Sequence, residues 1–151
     1  MEGLQAFILE AKRATYVGGG SASHACRRAS HDIRYECGPW SYLDSYFGGT
    51  DFLGQEVVWK NDDPVWAMNY YGRILDQELI DGAIAGTVIQ EALSALYRLG
   101  RFLGAFEYVV RQYRYVDNSN ESVEGFVGIE RIYVEAKEVY RLDYHGGLVK
   151  P

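Results

Sequence analysis

The stretch FLGQEVVWKNDDPVWAMNYYGRIL, residues 52–75, sets two runs of β-branched and aromatic residues on either side of Asn61-Asp62-Asp63-Pro64. Runs of this kind around a turn signal read as an antiparallel hairpin. With the loop at 61–64, Lys60 faces Val65 and Glu56 faces Asn69. Alternation then puts Glu56, Asn69 and Tyr71 on one face, and Val57, Trp59, Trp66, Met68 and Tyr70 on the other as candidate core. A different loop length changes the pairing and moves Glu56 to the core face.

A second stretch, FVGIERIYVEAKEVYRLDYHGGLV (126–149), aligns with the first without a gap at an offset of 74 residues. Phe52 meets Phe126, Gly54 meets Gly128, Glu56 meets Glu130, Tyr70 meets Tyr144 and Gly72 meets Gly146. Matched glycines, an acid and a Tyr-x-Gly in fixed register point to an internal duplication, although two hairpins of similar composition would also look alike. The duplication predicts two helix-plus-strands halves, about 1–75 and 84–149, related by a pseudo-twofold axis, their strands forming one sheet or two facing sheets. The same alternation gathers Glu130, Arg141, Asp143 and His145 on one face of the second hairpin.

Outward from these hairpins, Leu4, Phe7, Ile8 and Ala11 make an apolar stripe that predicts a helix over residues 2–14. Strands are expected near 31–37, 40–47, 52–60 and 65–73, with turns at Gly38-Pro39 and Gly48-Gly49. A second helix is expected over 88–99, opened by a Thr87/Gln90 capping box and closed by Gly100, with Val88, Ala92, Ala95, Leu96 and Leu99 buried. Further strands are expected near 106–116, 124–134 and 138–145. The fold class is therefore α+β, an antiparallel sheet with two helices in a single domain spanning 1–151, because hairpin-length turns cannot join parallel neighbours.

Composition narrows the function classes. A net charge of −6 and a pI near 5.0 argue against broad nucleic-acid binding, which needs a basic surface. No apolar run approaches a membrane span, and the N-terminus lacks the pattern of a secretory signal. Cys26 and Cys37 form no CxxC pair and read as reduced cytoplasmic thiols, with a bridge as the alternative. The 13 tyrosines suit half-buried sheet faces and binding surfaces alike.

The segment TYVGGGSASHACRRASHDIRYECG (15–38) looks like a site and lacks the motifs of the familiar ones. Gly18, Gly19 and Gly20 follow a helix instead of opening one, and neither GxxxxGK[ST] nor GxGxxG is present, which argues against a phosphate loop. Ser30, His31 and Asp32 are adjacent in an expected strand, so alternate faces keep them from converging as a triad. His31 could act alone as acid or base with Asp44 or Glu56. His24, His31 and His145 have no metal-ligand spacing.

Six further segments carry a family resemblance: AKRATYVGGG (11–20), SHDIRYECG (30–38), YLDSYFGG (42–49), FLGQEVVW (52–59), PVWAMNYYG (64–72) and YRLDYHGGLV (140–149). Together they resemble an uncharacterised bacterial domain, the domain of unknown function 5680. The resemblance brings no established activity. Its members' occurrence alone, or behind helix-turn-helix regions of transcriptional regulators, implies ligand sensing, and this chain resembles the standalone form.

The functional expectation is a non-catalytic domain that binds a small, nucleotide-like or other anionic aromatic molecule, without a cofactor. Aromatic side chains would stack on its ring, and Arg27, Arg28 or Arg34 would neutralise its charge. The expected ligand-binding residues are Tyr16, Gly18, Gly19, Gly20, Arg28, His31, Asp32, Arg34, Glu56, Asn69, Tyr71, Glu130, Asp143 and His145. A homodimer or higher homo-oligomer is expected, with no membrane or nucleic-acid partner. The alternatives are an interaction protein that oligomerises through an aromatic sheet face, and a small hydrolase or isomerase using His31.

Overall fold

The computed structural model describes residues 2–17, 21–22 and 24–150. Helix α1 (Leu4–Lys12) runs into a π-helical turn (Arg13–Val17), and a short strand β1 (Ser21–Ala22) precedes a meander of β2 (His31–Cys37), β3 (Trp40–Gly48), β4 (Phe52–Lys60) and β5 (Asp63–Ile74). Helix α2 (Gly82–Arg98) leads to a second meander of β6 (Phe106–Val110), β7 (Tyr113–Ser119), β8 (Gly125–Val134) and β9 (Lys137–Leu148). All pairings are antiparallel, in one sheet of order β1-β2-β3-β4-β5-β9-β8-β7-β6. The last strand of each meander therefore meets the other at the centre. The expected α+β class with an antiparallel sheet and two helices is the architecture observed.

Helices and sheet share one core. Leu4, Phe7, Ile8 and Ala11 of α1 are buried, as their spacing requires, and Val88, Ala92 and Leu96 of α2 join Val58, Trp66, Tyr115 and Ile132 of the sheet. Helix α2 begins six residues earlier than expected. Asp81, not Thr87, is its cap: the Asp81 carboxylate accepts from the Ile84 N–H at 2.7 Å. Gly82 and Gly86 mask this start in the sequence. Leu99 is exposed instead of buried, and Ala85, Leu93 and Tyr97 complete the buried face. The expected strand at 106–116 is two strands, reversed at Arg111, whose φ is 55°.

The decisive correction concerns the first hairpin. Its loop is two residues, not four: Asn61 and Asp62 both take positive φ, 50° and 68°, the pattern of a type I′ turn. Lys60 then faces Asp63, and Glu56 faces Met68 instead of Asn69. Glu56 points into the core with Val58, Trp66, Met68 and Tyr70, while Asn69 and Tyr71 face outward. A bulge at Val65 makes this change of face, since a loop shorter by two alone would leave Glu56 opposite Ala67, on the side of Asn69, whereas Trp59 pairs with Pro64 but Val58 with Trp66.

The second hairpin has the same build at the offset of the sequence alignment. Its loop is Glu135-Ala136, and its bulge falls between Ile132 and Tyr133, leaving Val139 without an opposite residue. The carbonyl of Val139 accepts from the Leu75 N–H at 2.8 Å, and that of Val65 accepts from the Val149 N–H at 3.0 Å. Each bulge thus fastens the end of the other hairpin's central strand.

Gly54 and Gly128 are required by close approach. A Cβ at Gly54 would lie 2.3 Å from the Tyr70 hydroxyl, and one at Gly128 would lie 2.1 Å from the Tyr144 ring. Gly125, by contrast, has open space around it. Gly54→Ala or Gly128→Ala should therefore lower stability by about 1–3 kcal/mol through overpacking. Gly125→Ala should cost clearly less, as read from urea-unfolding midpoints.

Candidate functional site

The inner face of the sheet carries acids at mid-strand. Asp44 pairs with Glu56 across β3 and β4, and Asp117 pairs with Glu130 across β7 and β8. Asp44, Glu56 and Asp117 are at most 2 % exposed. Tyr70 donates to Asp44 Oδ1 at 2.6 Å, and Tyr144 donates to Asp117 Oδ1 at 2.7 Å. The glycines Gly54 and Gly128 give those two rings their room.

One cation enters this acidic layer from α1. Lys12 Nζ lies 2.7 and 2.6 Å from the two Glu56 oxygens, and its side chain is buried. Four residues further along, Tyr16 brings its hydroxyl to 3.3 Å from Asp44 Oδ2. Helix α2 fixes this segment, because Gln90 donates to the Tyr16 carbonyl at 3.1 Å and Arg13 donates to the Tyr97 carbonyl.

Between α2 and the inner face of the first meander lies a cavity of about 550 Å³. Tyr16, His31, Tyr46, Phe52 and Tyr70 form its aromatic walls, Gly86 and Gln90 of α2 its roof, and Asp44 lies on its floor. Tyr140, from the central strand β9, also lines it, and its hydroxyl is buried with no hydrogen-bond partner among the described residues. Aromatic walls with a few convergent polar groups, at this volume, are the make-up of a small-molecule site.

Burial pushes Asp44 up to about 7, helped by the neighbouring Glu56 charge. Burial likewise raises Asp117 to about 6, against the Tyr144 hydrogen bond, and raises Glu130 to about 8 with help from Asp117. Burial pulls Asp32 in the same direction, but hydrogen bonds from Cys26, Ser30 and Ser45 outweigh it and hold Asp32 well below the carboxylate range.

The sequence-derived candidates fall into four places. Tyr16 and His31 line the cavity, with the His31 ring 5.1 Å from Tyr46. Glu56 and Glu130 lie on the inner face beside Lys12; Glu56 is not on the outer face with Asn69, nor Glu130 with Asp143 and His145, as the expected alternation implied. Asn69, Tyr71, Asp143 and His145 share the outer face. There Asn69 bonds Gln55 at 2.9 Å and His145 at 3.3 Å, and Asp143 pairs with Arg73 and Arg141. Asp32 is also on the outer side of its strand, buried under the 26–30 loop with Ser30 and Ser45. Arg28 and Arg34 are exposed and do not line the cavity. Gly18, Gly19 and Gly20 lie outside the described residues.

Tyr46, Phe52, Gly86, Gln90 and Tyr140 were missed as site residues, and Asp44 entered only as an acid/base partner for His31. Their signals were present: Asp44 and Asp117 are isolated acids in aromatic strands, and Lys12 continues the apolar stripe of α1 one turn beyond Ile8. Cys26 and Cys37 are free, exposed thiols. Among the described residues no helix is long and apolar enough to cross a membrane.

A family model described as domain of unknown function (DUF5680) matches residues 44–149, more than half of the chain. The matched span contains Asp44, Phe52, Tyr70 and Tyr140, whereas Tyr16 and His31 precede it. No curated protein and no solved structure matches the chain.

Two outcomes follow from the buried charges. Lys12→Met strands the Glu56 carboxylate and should cost about 3–5 kcal/mol, most of it recovered in Lys12→Met/Glu56→Gln, as judged by chemical denaturation. Asp44, Asp117 and Glu130 bind their protons more tightly folded than unfolded, where carboxyls titrate near pH 4. Their contribution is whole below about pH 4, falls as pH rises, and is gone above about pH 8. Asp32 has the opposite sign and protects only above the ordinary carboxylate range. Urea midpoints should therefore fall from pH 5 to pH 8, and Asp44→Asn should flatten that slope.

Proposed function

We propose that this chain, which belongs to the domain of unknown function family DUF5680, is a non-catalytic small-ligand-binding domain whose ligand sits in the Asp44 cavity. The observation that carries this reading is the cavity itself: about 550 Å³, walled by aromatic rings, with Asp44 on its floor. The paired hairpins support an internal duplication whose pseudo-twofold axis passes between Tyr70 and Tyr144, which face each other across the central strands. A duplicated cradle of this kind suits sensing or sequestration, with each half bracing the other. His31 serves here as a wall of the cavity. Exposed thiols at Cys26 and Cys37 suit a reducing, cytoplasmic setting.

A second reading, self-association through the sheet, is favoured by the outer face. Leu53 at 56 % and Val127 at 70 % exposure, with Tyr71 between them in the sheet order, set apolar side chains among the polar ones of that face, uncovered among the described residues. Sedimentation velocity over a concentration series tests it. Leu53→Glu with Val127→Glu should abolish any dimer and leave ligand binding intact.

The ligand reading is tested by thermal shift against a metabolite panel, followed by mass spectrometry of the recovered molecules. A true ligand at 100 times its dissociation constant adds roughly 2.7 kcal/mol of stability, and it should be recovered unaltered, whereas turnover would point to the hydrolase or isomerase alternative. Gly86 faces the cavity with nothing within 4 Å of an added Cβ. Gly86→Phe should therefore fill the space and abolish the shift, while the unliganded protein melts no lower than wild type because a helical glycine is replaced.

A further inference from the structure

The two meanders present the same cradle, and only one of them is filled by the chain itself. Around Asp44 stand Glu56, Tyr70 and Phe52; around Asp117 stand Glu130, Tyr144 and Phe126, in matching register. Phe52 lies 6.0 Å from Tyr70, and Phe126 lies 6.0 Å from Tyr144. The remaining aromatic of each cradle comes from the other hairpin: Tyr140 for the first, Trp66 for the second.

In the second cradle the segment after α2 folds inward. Phe102 and Leu103 are 7 % and 5 % exposed, and the Phe102 ring stands edge-on to Trp66 at 6.1 Å and 86°. The Gly104 N–H anchors the segment on Ser119 Oγ at 2.8 Å, and Ser119 faces Gly128 as Tyr46 faces Gly54. The residue before the ring is Arg101, whose guanidinium donates to the Leu103 and Ala105 carbonyls at 2.9 and 3.1 Å. A phenyl ring thus occupies the acid-floored cradle, while the guanidinium before it turns away to the chain's own carbonyls.

In the first cradle the described part of the corresponding segment, residues 24–30, is fastened to the outer face. The Cys26 N–H donates to Asp32 at 2.8 Å, and Arg27 donates to the Ser45 carbonyl at 2.7 Å. The Asp44 cradle keeps its cavity of about 550 Å³. No lysine or arginine lines that cavity among the described residues, and the nearby Lys12 ammonium is already held by both Glu56 oxygens.

We propose that the Asp44 cavity takes a molecule made of an aromatic ring bearing a protonated nitrogen, an arylalkylamine in class, its ring in the place that Phe102 takes in the other half and its nitrogen on the Asp44 floor, where no lysine or arginine among the described residues stands. This rests on reading the cavity as a ligand site. It reverses the charge expected from the arginines of the glycine-rich segment. The ring packs against Phe52, Tyr46 and Tyr140, and the nitrogen donates to the Asp44 carboxylate, whose known donors are the Tyr70 and Tyr16 hydroxyls.

Calorimetric titration with phenethylamine, 2-phenylethanol and phenylacetate separates the possibilities, because the three share a ring and differ in the head group. The amine should bind about tenfold tighter than the alcohol, as a charge-assisted bond warrants, and phenylacetate should bind weakest. Asp44→Asn should remove the amine's advantage. The ranking is read on the unaltered protein, so a poorly folding Asp44→Asn does not shield the inference. If phenylacetate or the alcohol binds as tightly as the amine, the cationic head is wrong and the ligand site stands. If none of the three binds, and crystals soaked in phenethylamine show nothing between Phe52 and Gly86, the cationic ligand and the ligand site both fall.

Discussion

The ion pair between Lys12 and Glu56 is the interaction on which the site depends. A glutamate with no exposed surface is costly unless a cation and hydrogen bonds accompany it, and one ammonium contacts both of its oxygens. The pair also has a geometric result. It pins the last turn of α1 to the middle of the sheet, and the helix then delivers Tyr16 one turn later beside Asp44. The cavity wall is thus a by-product of where a buried charge had to be satisfied. Thr15 adds to this by donating to the Ala11 carbonyl at 2.8 Å, within the widened turn that leaves α1.

Much of this was legible in the sequence. Strands β2 and β4 fall where the aromatic and β-branched runs put them, and the 74-residue register of the hairpins reappears in loops, bulges and cross-strand bonds. What was misread came from local chemistry with two solutions. Asn61-Asp62-Asp63-Pro64 contains turn-forming residues throughout, and only the backbone shows that the chain reverses at the first two, with Asp63 and Pro64 already in strand. A loop shorter by two keeps the alternation, and it is the one-residue bulge at Val65 that turned Glu56 from the outer face to the core. The start of α2 was hidden because its opening glycines resemble a loop and its cap sits before them.

The site was less legible than the fold, for a physical reason. A mid-strand carboxylate reads as a solvated edge unless its partner is known, and the partner of Glu56 lies 44 residues away on a helix. Asp44 and Tyr140 meet across the cavity only because β5 and β9 pair at the centre of the sheet, bringing the ends of both meanders together. The glycine-rich segment, which drew notice for its composition, contributes Tyr16 and His31 through its flanks. Its arginines are directed elsewhere, Arg27 stacking on Phe47 at 4.6 Å.

The two bulge carbonyls have a mechanical consequence. Val65 and Val139 sit at opposite ends of the β5–β9 seam, and each clasps the terminus of the other's strand. Creep of one strand along the other would have to release both clasps together, since they lie at the two ends of one rigid ribbon. The seam therefore behaves as a hinge pin locked at each end. Held so, the pin also fixes the register in which the paired acids of the two meanders stand to one another.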